Sequence, residues 1–220
     1  PVWNMKDITH GSMREYFRKE GAHYQKAWGA FTMGIAMENS FQLETPLHHQ
    51  VHIDEADKIE GLTSDSIFVS LSHPDDEIRS PGNLRTVNVS THASTDWWFD
   101  LNGMYEIKKN RVHDQILNIL DTRLKGFDKD KIKTSFSSTP VTWNNWVYRK
   151  KGCVGGIPQE MDRSLLDWTP SETPFKGLYL VGDTVFPGQG IPGVTLSGIN
   201  VYYRIQNQLN QQGFFEFSRQ

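Results

Sequence analysis

The chain has 220 residues, 37% of them hydrophobic and 22% charged, and a formal net charge of −3. Its length suits one large domain or two small ones, and its charge balance excludes the basic footprint of a nucleic-acid-binding protein. No apolar run approaches the ~18 residues of a membrane-spanning helix. The lone Cys153 excludes an internal disulfide framework and suits a reducing compartment. A cytoplasmic or membrane-peripheral protein is expected.

Residues 1–24 read as a polar helix, with Ser12-x-x-Glu15 as a capping box and Gly21 as its stop. Ala27 to Met37 reads as a strand, with Trp28, Ala30, Thr32 and Gly34 on one face and Phe31, Met33 and Ile35 on the other. Leu47 to Ile53 predicts a second strand. The runs Ser66–Ser72 and Arg85–Thr91, separated by turn residues, predict an antiparallel pair. The spacing of Ile107, Val112, Ile116, Ile119, Leu120 and Leu124 predicts a helix from about Gly103, ended by Gly126. Ile132–Ser138 returns as a strand. Thr139-Pro140 then supplies an N-cap and a first helical proline for a helix to about Arg149.

Several residues invite a chemical reading that a blander one outweighs. His48 and His52 share a strand face, but no third ligand is spaced to complete a metal site, and none is expected. Asp75, Asp76 and Glu77 read as a solvated turn. Asn88-Val89-Ser90 matches a glycosylation sequon but falls inside a strand. The aromatic cluster Asp96-Trp97-Trp98-Phe99 reads first as packing. Cys153, in a glycine-rich loop with no neighbouring base, reads as a small packing residue. No serine, cysteine or paired-carboxylate catalytic constellation is found.

The stretch from Phe175 to Ile205 is different. Gly177 opens a short apolar run, Leu178–Val181, that reads as a buried strand ending at Gly182-Asp183. Glycines at 188, 190 and 193 and prolines at 187 and 192 follow. From Gly193 a helical stripe of Leu196, Ile199, Tyr202, Ile205 and Leu209 begins. Asp183 thus stands at a strand's carboxyl end. Backbone amides at a helix start attract electron-rich atoms, and glycine lets a flat ligand approach the main chain.

Gly182-Asp183, followed by Pro187-Gly188-x-Gly190-x-Pro192-Gly193-Val194 and Ser197-Gly198, resembles the C-terminal flavin signature of the phytoene desaturase and carotenoid isomerase family. That family belongs to the amine-oxidase-like FAD flavoproteins. The resemblance implies FAD as cofactor, with Asp183 on the ribityl chain and the main chain around Gly193 and Val194 at the pyrimidine edge. Gly182, Pro187, Gly188, Gly190 and Pro192 shape the same turn. Family members open with a Rossmann βαβ unit whose G-x-G-x-x-G cradles the pyrophosphate, and no such motif is read anywhere in this chain. The resemblance therefore implies the C-terminal portion of a longer enzyme, with the N-terminal half of the same chain as its partner.

The expected fold is α/β. Residues 1–150 would supply a mixed, largely antiparallel substrate-domain sheet with helices. Residues 151–220 would supply the last strand and helix of a Rossmann-type FAD-binding domain. The implied activity is oxidoreduction or isomerisation of a long apolar polyene such as a carotenoid, with hydride exchange at flavin N5. A substrate of that kind implies peripheral membrane association, to which the terminal Phe214, Phe215 and Phe217 could contribute. Two alternatives stand beside it: an amine-oxidase-like flavoenzyme acting on a polar amine, and a flavin-free binding protein like the prenyl-protein escorts.

Overall fold

The computed structural model describes residues 1–22, 24, 27–158, 161, 164 and 168–217, with backbone alone for 211–217. The aromatics at 214, 215 and 217 therefore lie outside the described side chains. The chain forms two compact units: Trp28–Val154, and Pro1–Ala27 together with Gly155–Gln220. Residues 1–27, which the sequence division grouped with the sheet, thus belong with the glycine-rich segment.

The first unit is built on five strands: β1 (Gly29–Glu38), β2 (His48–His52), β3 (Ser66–Leu71), β4 (Leu84–Ala93) and β5 (Ile132–Ser138). They lie in the order β2-β3-β4-β1-β5, and every neighbouring pair is antiparallel. The mixed sheet expected from sequence is therefore corrected to an antiparallel one. The Phe68↔Ser90 and Val69↔Val89 register forms the predicted antiparallel pair.

Alternation drives the packing. Phe31, Met33, Ile35 and Met37 of β1 are buried on one face with Ile67, Val69, Val87 and Val89 of its neighbours. Helix α4 (Tyr105–Arg123) contributes Val112, Ile116, Ile119 and Leu120 to the same core. Ile107, expected in that stripe, is 66% exposed because it stands in the first turn of α4, ahead of the packed face. The short helix α3 (Thr95–Phe99) drives Trp98 into the core, where its ring stacks on Phe31 at 5.6 Å. Of the aromatic cluster, Trp98 is core packing, Trp97 packs partly buried against it and Phe99 is exposed.

Thr139 caps α5 (Pro140–Val147) as predicted. Its hydroxyl accepts from the Val141 and Thr142 amides, and the Thr142 hydroxyl accepts from the Thr139 amide at 3.1 Å. Gly152 then brings the chain back against the start of α5. Its φ is +67°, and a Cβ there would overlap the Pro140 carbonyl. Gly152→Ala should therefore cost about 2–4 kcal/mol of stability, from left-handed strain plus overpacking, against about 1 kcal/mol for the lost cap in Thr139→Ala. Urea unfolding of both variants checks the order, and a Gly152→Ala protein as stable as the parent contradicts it.

In the second unit the helix predicted over 1–24 is two helices, α1 (Val2–Ile8) and α2 (Gly11–Ala22). Thr9, at φ −122° and ψ 163°, leaves the helical region, and Gly11 restarts the chain at φ +56°. The Ser12 capping box does not form, because α2 already begins at Gly11 and Glu15 pairs with Arg18 at 2.7 Å instead. Gly21 is a contact point and not a stop: a Cβ there would sit 3.1 Å from the Trp3 Cα, so its absence lets α1 and α2 touch.

Candidate cofactor site

The run Leu178–Val181 forms one isolated bridge, Tyr179 with Glu172, and not a strand of a sheet. A strand exists by pairing, and the described residues offer this segment a single partner. Leu180 is nonetheless buried, while Val181 is 58% exposed. Helix α6 (Gly190–Phe217) starts three residues earlier than the stripe suggested. Its packed face is small, with Ser197 fully buried and Val201 buried, whereas Leu196, Ile199, Tyr202 and Leu209 are exposed. Periodicity located the helix, but a stripe of large side chains need not be the one that packs within the same unit.

Between these elements lies the turn. Gly182 has φ +119° and donates its amide to the Ser197 hydroxyl at 3.2 Å, tying the turn to α6. Asp183 is half-buried beside it. The Phe186–Pro187 peptide is cis, and Gly188 and Gly190 take φ +104° and +86°. A Cβ on Gly193 would stand 2.7 Å from the Gly188 carbonyl oxygen, and one on Gly156 would stand 2.7 Å from that of Asp183. Pro192 is exposed, and Gly193 and Val194 are half-buried in the first turn of α6. All eight residues singled out from sequence, Gly182 to Val194, thus fall in one turn and one helix start.

Sequence reasoning passed over one spacing here. Gly188, Gly190 and Gly193 themselves stand as G-x-G-x-x-G, but no paired strand among the described residues leads into them. Gly188 makes the tight turn, Gly190 leaves its backbone open to approach, and Gly193 permits close contact. Because Pro192 has no N–H, the free amides of this helix start are those of Gly190, Ile191 and Gly193. Such amides suit electron-rich ligand atoms, and an ionised aspartate suits hydroxyls.

The floor of the turn is polar and closed. The buried Tyr24 hydroxyl donates to the Thr184 carbonyl and lies 2.7 Å from the Thr169 hydroxyl, which reaches Glu20 at 3.0 Å. Thr184 accepts from the Val2 amide at 3.1 Å, and the Phe186 amide donates to the Thr169 carbonyl at 3.0 Å. These residues were not legible as site residues, because nothing local links Tyr24 to Thr184.

No protein-family model matches the chain. Over 167 residues, 76% of the chain, it is 32% identical to prolycopene isomerase 1 of an Oncidium hybrid cultivar. Over 198 residues, 87% of the chain, it is 30% identical to the prolycopene isomerase of Arabidopsis thaliana. The chain is a homologue of the prolycopene isomerases. It thereby falls in the carotenoid isomerase, phytoene desaturase-like family, and it spans 28% and 33% of those two relatives' lengths. In fold it resembles an oxidoreductase from Methanosarcina mazei, with a TM-score of 0.50 at 13% identity, over 90% of this chain and 39% of that one.

Among the described residues no three ligating side chains converge for a metal. Imidazoles of His48 and His52 lie on the exposed face of β2. No helix among the described residues is long and apolar enough to cross a membrane. Cys153 is buried in a bridge with Gly29, and burial pushes its thiol pKa up. Iodoacetamide at pH 7–8 should therefore label the native protein much more slowly than the unfolded one, as intact-mass spectrometry would read. Equal labelling rates would restore it as a candidate nucleophile.

Proposed function

We propose that the protein is an FAD-dependent enzyme that isomerises or desaturates a long apolar polyene of the carotenoid class. The observation that carries this reading is the turn from Gly182 to Val194, set in a chain homologous to prolycopene isomerases. Its residues fit a flavin dinucleotide: a half-buried carboxylate for a ribityl hydroxyl, open amides at the start of α6, and glycines where a planar ring must come close. FAD, when bound, supplies hydride exchange for desaturation or redox assistance for double-bond rotation. Asp183 orients the cofactor, and Gly182 and Ser197 hold Asp183 in place.

The exposed face of the sheet supplies a wall that a polyene could lie along. Trp28 and His92 rings sit 5.2 Å apart, and Phe68 lies 6.4 Å beyond His92. Beside them run the small side chains Ala30, Thr32 and Ala36, and Phe136 covers Gly34. Partial burial pushes the His92 pKa below its usual value, so it is neutral at pH 7. A neutral aromatic strip flanked by small residues suits an extended apolar chain, and the carboxylate on the same face of β1, Glu38, is already paired with Lys133. That favours the polyene over the amine-oxidase alternative.

Asp183→Ala in the intact protein should lower FAD affinity about ten- to a hundredfold, the loss of one hydrogen bond to a charged acceptor. Flavin fluorescence titration measures it. Full occupancy maintained on dilution would mean the turn is only a turn. With a poly-cis carotene as substrate, changed chromatographic retention at unchanged mass identifies an isomerase, and loss of a hydrogen pair identifies a desaturase. A purified protein without flavin absorbance would point to the escort-like binding proteins.

A further inference from the structure

Polar side chains collect without partners at one end of the sheet. Ser40 stands just past β1, His49 at the start of β2, and Arg85 at the start of β4, in register with Met37 of β1. The Asn39 amide donates to the Asn83 carbonyl at 2.9 Å and joins the segments just outside β1 and β4. The Ser40 Oγ, the His49 Nε2 and the Arg85 Nε and Nη1 are shielded from water, and none has a hydrogen-bond partner among the described residues. Such groups are rare, because each loses its hydration and gains no bond in return. Arg85 is the most demanding of the three. It is 1% exposed, it has no ion pair among the described residues, and a guanidinium does not give up its proton.

Two of these residues line a cavity. Ser40 and His49 border a space of about 620 Å³, together with Pro46, Leu124 and Lys125. Small-molecule sites have volumes of this order and combine apolar walls with a few polar groups. His49 shares the core side of β2 with Val51, across the sheet from the strip of Trp28, His92 and Phe68. The cavity is therefore separate from the polyene wall.

What the unpartnered groups can do selects the ligand. A hydroxyl donates, an imidazole donates in its Nε2–H tautomer, and a guanidinium can only donate. An oxyanion accepts from every one of them. The charges agree. Lys125 is exposed and has no ion pair among the described residues. Arg123 also borders the cavity but is already committed to Asp54, at 2.7 Å, and to Asp57. Glu44 on the same wall is exposed, so water and salt screen its charge. Arg85 is not on the wall, but a buried, uncompensated cation is felt farther than an exposed one.

We propose that this cavity binds a small organic anion, a phosphate or a carboxylate, through Ser40, His49 and Lys125, with the buried charge of Arg85 setting the sign. A rotamer turn of Ser40 or His49 brings its donor into the space. The site is independent of the flavin turn.

Melting of the intact protein, with FAD present, in inorganic phosphate or hexanoate against chloride of equal ionic strength tests it. A saturable rise in melting temperature is expected with at least one of the two. Phosphate as the better ligand identifies a phosphoester, and hexanoate a carboxylate on an apolar chain. Calorimetric titration with that anion should show Ser40→Ala and His49→Phe each weakening binding about tenfold or more, the loss of one hydrogen bond to a charged acceptor. Arg85→Met should weaken it several-fold and leave the anion-free protein melting no lower than the parent, because an unpaired buried charge is removed. Arg14→Ala, which removes an exposed charge on α2, should change nothing. The proposal is overturned if neither anion raises the melting temperature above that in chloride, or if Ser40→Ala and His49→Phe both bind as the parent does. It is equally overturned if the anion binds only without FAD, which would place it at the start of α6.

Discussion

The constraint on which the candidate site depends is close backbone approach. At the turn after Val181, Gly156 stands where any side chain would press on the Asp183 carbonyl, and Gly193 where it would press on that of Gly188. Only chains without a Cβ can meet at these distances. The contact brings three segments together: the loop after Cys153, the turn bearing Asp183 and the start of α6. The polar groups that this crowding buries are then paired. Tyr24 holds the Thr184 carbonyl, the Thr169 carbonyl holds the Phe186 amide, and Ser197 holds the amide of Gly182. A buried, unpaired peptide would cost about as much as a lost hydrogen bond, so the network is part of what keeps Asp183 where it is.

The sheet unit follows a different rule. Its strands are half-buried, and alternation separates a closed face of Phe31, Met33, Val69 and Val89 from an exposed face of small and aromatic side chains. The closed face supplies stability by burial of apolar area. The exposed face keeps Trp28, His92 and Phe68 accessible while their mutual contacts fix their positions. One set of strands therefore provides rigidity on one side and a recognition surface on the other, with no conflict between the two.

Much of this was legible in the residues. Five strands and the long helix α4 follow from periods of two and of about 3.6, and Thr139-Pro140 marked the start of α5 because capping chemistry is local. The eight residues from Gly182 to Val194 were gathered from sequence alone, since they lie within thirteen positions of one another. What went astray was non-local. The apolar run Leu178–Val181 looked like a strand, but pairing is a property of two segments. The stripe on α6 marked a helix, but Ser197 and Val201 are its buried residues while Leu196, Ile199 and Tyr202 stay exposed. Ser12 matched a capping box that Gly11 pre-empted by starting the helix one residue sooner.

The sequence by itself determined the elements, the chemistry available at the glycine-rich turn and the kinship that the turn reveals, because each depends on residues near in the chain. Only the tertiary structure decided that residues 1–27 group with residues 155–220, that Tyr24 reaches Thr184, and that Trp28, just ahead of β1, meets His92 of β4, which in turn meets Phe68 of β3. Those facts rest on contacts between segments tens to more than a hundred residues apart. Such contacts are chosen by how well surfaces fit together, and no local pattern records that fit.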